Sequence, residues 1–249
     1  MAKTFVFKIG SSTLTTSAGK LDLPSLRRIV KEIAAVKNKG DKVIIVSSGA
    51  IVCGAEKLSL GKPKTIPEKQ AAAAVGQSRL MRQYEKAFES HGLITAQVLM
   101  TSDLIHSHEH RTNARNTLNT LLKERVVPIV NENDTVATDE IKIGDNDTLA
   151  ALTANLVKAD TLIILSDVNG FMLAGKLLSE IKEITREIRL AAGQSGTDQG
   201  TGGMVTKLAA YKTCRQNKIK MHLINGRQKG LINQLVFGTK KVGTTFWPS

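Results

Sequence analysis

Along almost the whole chain, short runs of β-branched and other apolar residues alternate with stretches whose apolar positions recur at helical spacing. Such alternation is the pattern of a mostly parallel sheet under helices, because parallel strands need a crossover long enough to hold a helix. Strands are expected at Thr4–Ile9, Lys42–Ser47, Leu93–Met100, Val126–Val130, Thr161–Leu165 and Lys220–Ile224, with a short hairpin arm at Glu140–Ile143. Between the first two, Leu26, Ile29, Val30, Ile33 and Val36 mark a helix over Pro24–Lys39 that Gly40 ends. Thr65, Pro67 and Glu68 have capping-box spacing and open an Ala-rich helix that stops near Gly92. Further helices are expected at His108–Lys123, Thr148–Val157 and Met204–Asn217. Neither a Pro-rich linker nor an internal repeat interrupts the series, so residues 1–249 read as one α/β domain.

Charge and composition narrow the function classes. The chain carries 35 Lys+Arg against 22 Asp+Glu, a formal net charge of +13. No block of five or six like charges occurs and aromatics are only 4% of the residues, which leaves few stacking platforms for a nucleic acid. A solvated basic surface that also draws in anionic small substrates accounts for the excess. Apolar runs such as Val43–Val46 and Leu162–Leu165 fall far short of the ~20 residues of a membrane span. Lys8 interrupts the first apolar stretch, against a secretory signal. Cys53 and Cys214, far apart and without CxxC spacing, suit neither a disulfide framework nor a zinc site. A cytoplasmic, enzyme-like protein without membrane attachment is expected.

The polar residues fall where chemistry is expected. Four strands end in small or polar clusters: Lys8-Ile9-Gly10-Ser11-Ser12, Ser47-Ser48-Gly49-Ala50, Asn131-Glu132-Asn133-Asp134 and Ser166-Asp167. Ligands of open α/β sheets bind beyond the carboxyl ends of the strands, so the four loops should meet at one crevice. The glycine-rich stretch Gly193–Gly203 feeds a helix that bears Thr206 and Lys207. It fits a polyphosphate cradle and equally a surface loop. It contains neither a Walker A sequence nor GxGxxG, and the chain has no protein-kinase HRD or DFG set. Gly144-Asp145-Asn146-Asp147 is either a turn with an N-cap or an acidic group that keeps Lys8 and Lys207 charged and aimed. His106, His108 and His110 read as an exposed polar helix rather than a metal cluster.

The order and spacing of several stretches carry a family resemblance. They are FKIGSSTLT (7–15), VSSGAIVCG (46–54), KQAAAAVGQSRLM (69–81), NARNTL (113–118), VPIVNENDTV (127–136), KIGDNDTLAA (142–151), LSDVNGFM (165–172) and GTGGMVTKLAA (200–210). In these the chain resembles the glutamate 5-kinase branch of the amino-acid kinase family, from its first strand to about Gly243. The resemblance implies a three-layer α/β/α sandwich around a mostly parallel sheet of about eight strands, with the N-terminal part mainly binding glutamate and the C-terminal part mainly ATP. It implies ATP as phosphate donor, Mg²⁺, and L-glutamate as acceptor in the first step of proline biosynthesis. It also implies a homo-oligomer, dimer or tetramer, and functional coupling to glutamate-5-semialdehyde dehydrogenase.

Carried over by residue, the resemblance makes Lys8 and Lys207 the phosphate-stabilising lysines and Asp147 their organiser. Ser48, Asp134 and Asn146 fall at glutamate contacts. Lys8, Ser166, Asp167, Thr201, Gly202, Gly203, Met204, Val205, Thr206 and Lys207 fall at ATP contacts. Ser166 stands where the family more often has threonine, which keeps a hydroxyl. Many members continue into a C-terminal PUA domain, associated with RNA, and this chain is expected to lack it. Aspartate, N-acetylglutamate, carbamate and UMP kinases share the lysines and the glycine-rich part, but the NENDTV and KIGDND pair favours glutamate. An RNA-binding protein is the alternative of a different class. Chemically, the γ-carboxylate of glutamate is ionised at pH 7 and needs no general base. The strand-end clusters contain no histidine.

Overall fold

The computed structural model describes residues 2–101, 107–136, 146–194 and 203–248. The first half runs β1 (Thr4–Ile9), α1 (Ser11–Leu14), α2 (Leu23–Asn38), β2 (Lys42–Ser47), α3 (Ala50–Leu58), α4 (Ile66–Glu89), β3 (Thr95–Met100), α5 (His108–Lys123) and β4 (Val127–Glu132). It continues with α6 (Asn146–Leu156), β5 (Thr161–Ser166), β6 (Phe171–Leu173), β7 (Lys176–Leu178), β8 (Glu180–Ile181), α7 (Arg186–Gln194), α8 (Met204–Gln216), β9 (Lys220–Asn225), α9 (Leu231–Phe237) and β10 (Thr244–Phe246). Among the described residues, eight strands form one sheet in the order β3-β4-β2-β1-β5-β9-β10-β8, and β6 and β7 form a separate hairpin. Every pairing in the large sheet is parallel except β9 with β10.

Alternation along the strands divides the core between the two faces. On β1, Phe5, Phe7 and Ile9 join the core under α2, α4 and α9, while Val6 joins the core under α5, α6 and α8. Helices on both faces explain why β1, β2 and β5 read as almost unbroken apolar runs. The edge strand β3 instead keeps an exposed Leu99 and only partial burial over much of its length.

Several elements depart from expectation. The strand expected to end at Val130 continues through Asn131 and Glu132, which pair with Leu99 and Met100 of β3. These are poor strand formers, so the register of the neighbouring strand holds them extended. Helix α3 and the segments between Asp167 and Gly193 carry no sequence expectation, yet form α3, β6, β7, β8 and most of α7. Gly193 thus lies in a helix rather than in the glycine-rich loop. The hairpin arm at Glu140–Ile143 lies outside the described residues.

Helix α3 shows why sequence falls short there. It begins at Gly49, whose φ is 108°, and its AIVCGAEKL sequence mixes β-branched residues with a central glycine. Packing on α4 forms it instead. A Cβ on Gly54 would overlap the backbone of Ala72, and one on Gly76 would overlap the carbonyl of Ala50. Helix propensity alone favours Gly76→Ala by about 1 kcal/mol. Backbone overlap costs about 3 kcal/mol. The variant should therefore lose about 2 kcal/mol net, seen as a lower urea midpoint with an unchanged slope.

Candidate active site

The strands β4, β2, β1 and β5 are neighbours and run parallel, so their carboxyl ends lie side by side. Backbone hydrogen bonds knit these ends together, from Gly10 N–H to the Leu165 carbonyl at 3.1 Å and from Ser48 N–H to the Ile9 carbonyl at 3.2 Å.

Above this edge sits a buried charge cluster. Lys8 Nζ, projecting from β1, lies 2.7 Å from Asp147 Oδ1, and Lys207 Nζ, from the first turn of α8, lies 3.2 Å from Asp147 Oδ2. Asp147 is fully buried near the start of α6, where the helix N-terminus also favours a carboxylate. The Thr206 hydroxyl is within reach of both Asp147 Oδ2, at 3.0 Å, and the Gly203 carbonyl, at 2.7 Å. Burial pushes the Asp147 carboxyl upward, but the ammonium groups of Lys8 and then Lys207 outweigh it and hold it below the usual carboxylate range. One carboxylate between two lysines sits beside the N-terminus of α8, whose cap Gly203 offers no side chain to its first N–H groups. Such a place receives an anion.

A second, uncharged cluster adjoins it. Asn146 Nδ2 lies 2.8 Å from the Ser47 carbonyl, 2.7 Å from Ser48 Oγ and 3.3 Å from Asn131 Oδ1. Asn131 Nδ2 donates to Gln77 Oε1 of α4 at 2.9 Å, and the Ser47 hydroxyl meets the Tyr84 hydroxyl at 2.8 Å. Sequence reasoning places Asn131 and Ser47 only in strand-end clusters and does not single out Gln77 or Tyr84. A signal for Gln77 was present, a polar residue on the apolar stripe of Ala73, Gly76, Leu80 and Tyr84.

The structure thus brings together Lys8, Asp147, Thr206 and Lys207 in one group and Ser48 and Asn146 in another, with Asn146 and Asp147 adjacent in the chain. Asp134 lies half-buried in the turn after β4. Ser166 is buried at the end of β5, and its hydroxyl donates to Asp167 Oδ1 at 3.2 Å. Met204 and exposed Val205 begin α8. Thr201 and Gly202 lie outside the described residues, as do Asp145 and His106. Among the described residues, no group of three or more His, Cys, Asp or Glu side chains is placed to hold a metal ion. Nor is any helix among them long and apolar enough to cross a membrane.

A pair of lysines around a buried carboxylate, with a hydrogen-bonding cluster beside it at the same strand ends, suits transfer of a phosphoryl group between anions. The chain belongs to the amino acid kinase family, whose signature spans residues 3–225. Within that family it is similar to glutamate 5-kinases. It is 49% identical over 251 residues to the glutamate 5-kinase of Thermoanaerobacter sp. (strain X514), covering 98% of this chain and 67% of that one. The corresponding protein of Geobacter sulfurreducens is 48% identical over 254 residues, covering 99% of this chain and 68% of the relative. That of Clostridium tetani is 46% identical over 252 residues, covering 98% and 94%.

The buried trio makes a stability prediction. Replacing Asp147 by Asn leaves two buried ammonium groups without their counter-charge, which costs about 3–5 kcal/mol. Because the folded carboxyl titrates below its ordinary value of 3.8, its contribution is complete above that value and fades as pH falls through the lower folded one. Denaturant unfolding should show the full deficit of Asp147→Asn at pH 7, and the gap to the unsubstituted protein should close as pH drops below about 4.

Proposed function

We propose that this chain transfers the γ-phosphoryl group of ATP to the γ-carboxylate of L-glutamate, giving L-glutamyl 5-phosphate and ADP, the first step of proline biosynthesis. The observation that carries this reading is the Lys8–Asp147–Lys207 trio at the strand ends, joined through Asn146 to the uncharged pocket. The similarity to glutamate 5-kinases supports the choice of acceptor.

Each residue has a task that follows from charge. A carboxylate oxygen of the acceptor forms a bond to the γ-phosphorus, the bond from that phosphorus to the bridging oxygen breaks, and the electron pair leaves on ADP. No proton moves, since the acceptor is already ionised. Two polyanions must be brought together, and the charge on the transferring group must be spread as it passes. Lys8 and Lys207 do this, and Asp147 keeps both ammonium groups at fixed positions before substrate arrives. The N–H groups opening α8 and the Thr206 hydroxyl face the triphosphate, with Ser166 and Asp167 on its nucleoside side. Ser48 and Asn146 orient the acceptor, and Asp134 pairs with its α-ammonium.

Mg²⁺ enters in this reading with the nucleotide. Asp147 is already engaged by two lysines, so phosphate oxygens and water are its natural ligands. Residues 1–249 act as one kinase domain, acceptor side first and nucleotide side second. A cytoplasmic homo-oligomer handing its labile acyl phosphate to glutamate-5-semialdehyde dehydrogenase completes the proposal.

Hydroxylamine trapping of an ATP-dependent acyl phosphate tests the reaction. L-glutamate should yield hydroxamate, while aspartate and N-acetylglutamate should yield little, because acetylation removes the charge that Asp134 would match. Equal yields from glutamate and N-acetylglutamate would sink the assignment.

Lys207→Ala tests the lysine pair. Loss of a donor to the moving phosphoryl group should lower kcat by about 10²–10³-fold with a smaller change in ATP KM. Lys207→Arg should rescue poorly, because a planar fork does not replace a compact ammonium. A folded Lys207→Ala protein, checked by circular dichroism, with near-normal kcat contradicts the role.

A further inference from the structure

The amides of the uncharged pocket can be oriented from groups that have no choice of direction. The Glu132 backbone N–H is always a donor, and it lies 2.9 Å from Asn131 Oδ1. That contact makes this atom the oxygen of Asn131, so the other end of the amide is the NH₂ that donates to Gln77. The Ser47 carbonyl is always an acceptor, and in the same way identifies the NH₂ end of Asn146. Asn131 therefore requires an oxygen from Gln77, and the NH₂ of Gln77 is turned to the other side. That Nε2 is fully enclosed and has no hydrogen-bond partner among the described residues, in a residue that is only 9% exposed.

A buried donor left unsatisfied costs free energy, so such a group in a native protein calls for an explanation, of which an incoming acceptor is one. Gln77 is well held for that purpose. It follows Gly76, whose contact with the Ala50 carbonyl locks α4 against the start of α3, just past Ser48. Its partner Asn131 stands on β4, two strands from Lys8 on β1. At ordinary strand spacing that is about 9–10 Å from the phosphoryl-transfer end. A ligand with its reacting carboxylate at Lys8 would present its opposite end on this side.

We propose that Gln77 is a specificity-determining residue whose Nε2 donates a hydrogen bond to the α-carboxylate of the amino-acid acceptor, the carboxylate that is not phosphorylated. This rests on the glutamate reading above. A hydrogen bond to a charged carboxylate is stronger than one to an amide carbonyl, so the donor favours a free α-carboxylate over an α-amide or a peptide bond, and the free amino acid over a glutamyl peptide.

The test compares L-glutamate with L-isoglutamine, its α-carboxamide, as acceptors for the full chain and for Gln77→Glu. This substitution keeps the oxygen that Asn131 needs and exchanges only the donor for a second carboxylate oxygen. The glutamate KM should rise by about 10- to 100-fold, with the ATP KM within about twofold. Isoglutamine, which brings its own N–H groups, should lose far less, so the preference for glutamate falls by about tenfold or more. A merely structural role for Gln77 would lower both substrates together and leave the ratio unchanged, and that result overturns the proposal. Should Gln77→Glu fail to fold by thermal melting, Gln77→Met removes the donor without adding charge and must also compress the ratio. Unsubstituted protein that makes no acyl phosphate from glutamate rejects the acceptor itself. Normal turnover with an unchanged ratio in the variant rejects Gln77 alone.

Discussion

Everything at the crevice depends on a single buried carboxylate shared by two lysines. Lys8, Asp147 and Lys207 come from β1, α6 and α8, far apart in sequence, and meet within 2.7 and 3.2 Å. Burying three charges is a poor way to gain stability, since desolvation opposes the attraction. Its effect is to hold two ammonium groups still around one carboxylate. In the proposed reaction a polyphosphate would meet a field already arranged, with little reorganisation left for the moment of reaction.

The same geometry sets what is proposed as the acceptor side. Asn146 and Asp147 are consecutive, so the α6 N-terminus that fixes the lysines also fixes the amide bound to Ser47 and Ser48. The orientation of that pocket passes from backbone groups outward, from Glu132 N–H and the Ser47 carbonyl through Asn131 to Gln77. Helix α4 closes the arrangement from behind. Gly76, Gln77 and Tyr84 lie on its buried face and touch Ala50, Asn131 and Ser47 in turn. Close helix packing and the hydrogen-bonding cluster are therefore parts of one constraint.

Much of this was legible before any coordinates. The central strands reported themselves because helices cover both faces and most of their residues are apolar, as in Thr4–Ile9 and Thr161–Ser166. The Thr65–Glu68 capping box formed as its spacing required, with the Glu68 side chain returning to the Thr65 N–H at 3.0 Å. The strand-end clusters were visible as polar punctuation after apolar runs, and they end neighbouring parallel strands. These are local signals, set by residue type and by the period of 2.0 or 3.6.

What sequence could not supply was whatever depends on a distant partner. Helix α3 has weak propensity and exists because glycines let its backbone touch α4. Asn131 and Glu132 are extended because β3 lies beside them. Gln77 looked like one more residue of an Ala-rich helix, and only its meeting with Asn131 across 54 residues shows a donor held without a partner among the described residues. By itself the sequence determined the layers, the strand-end clusters and the charged residues that chemistry would need. Tertiary structure decided which of them meet, because distance between side chains and the direction of a hydrogen bond are properties of packing and not of composition.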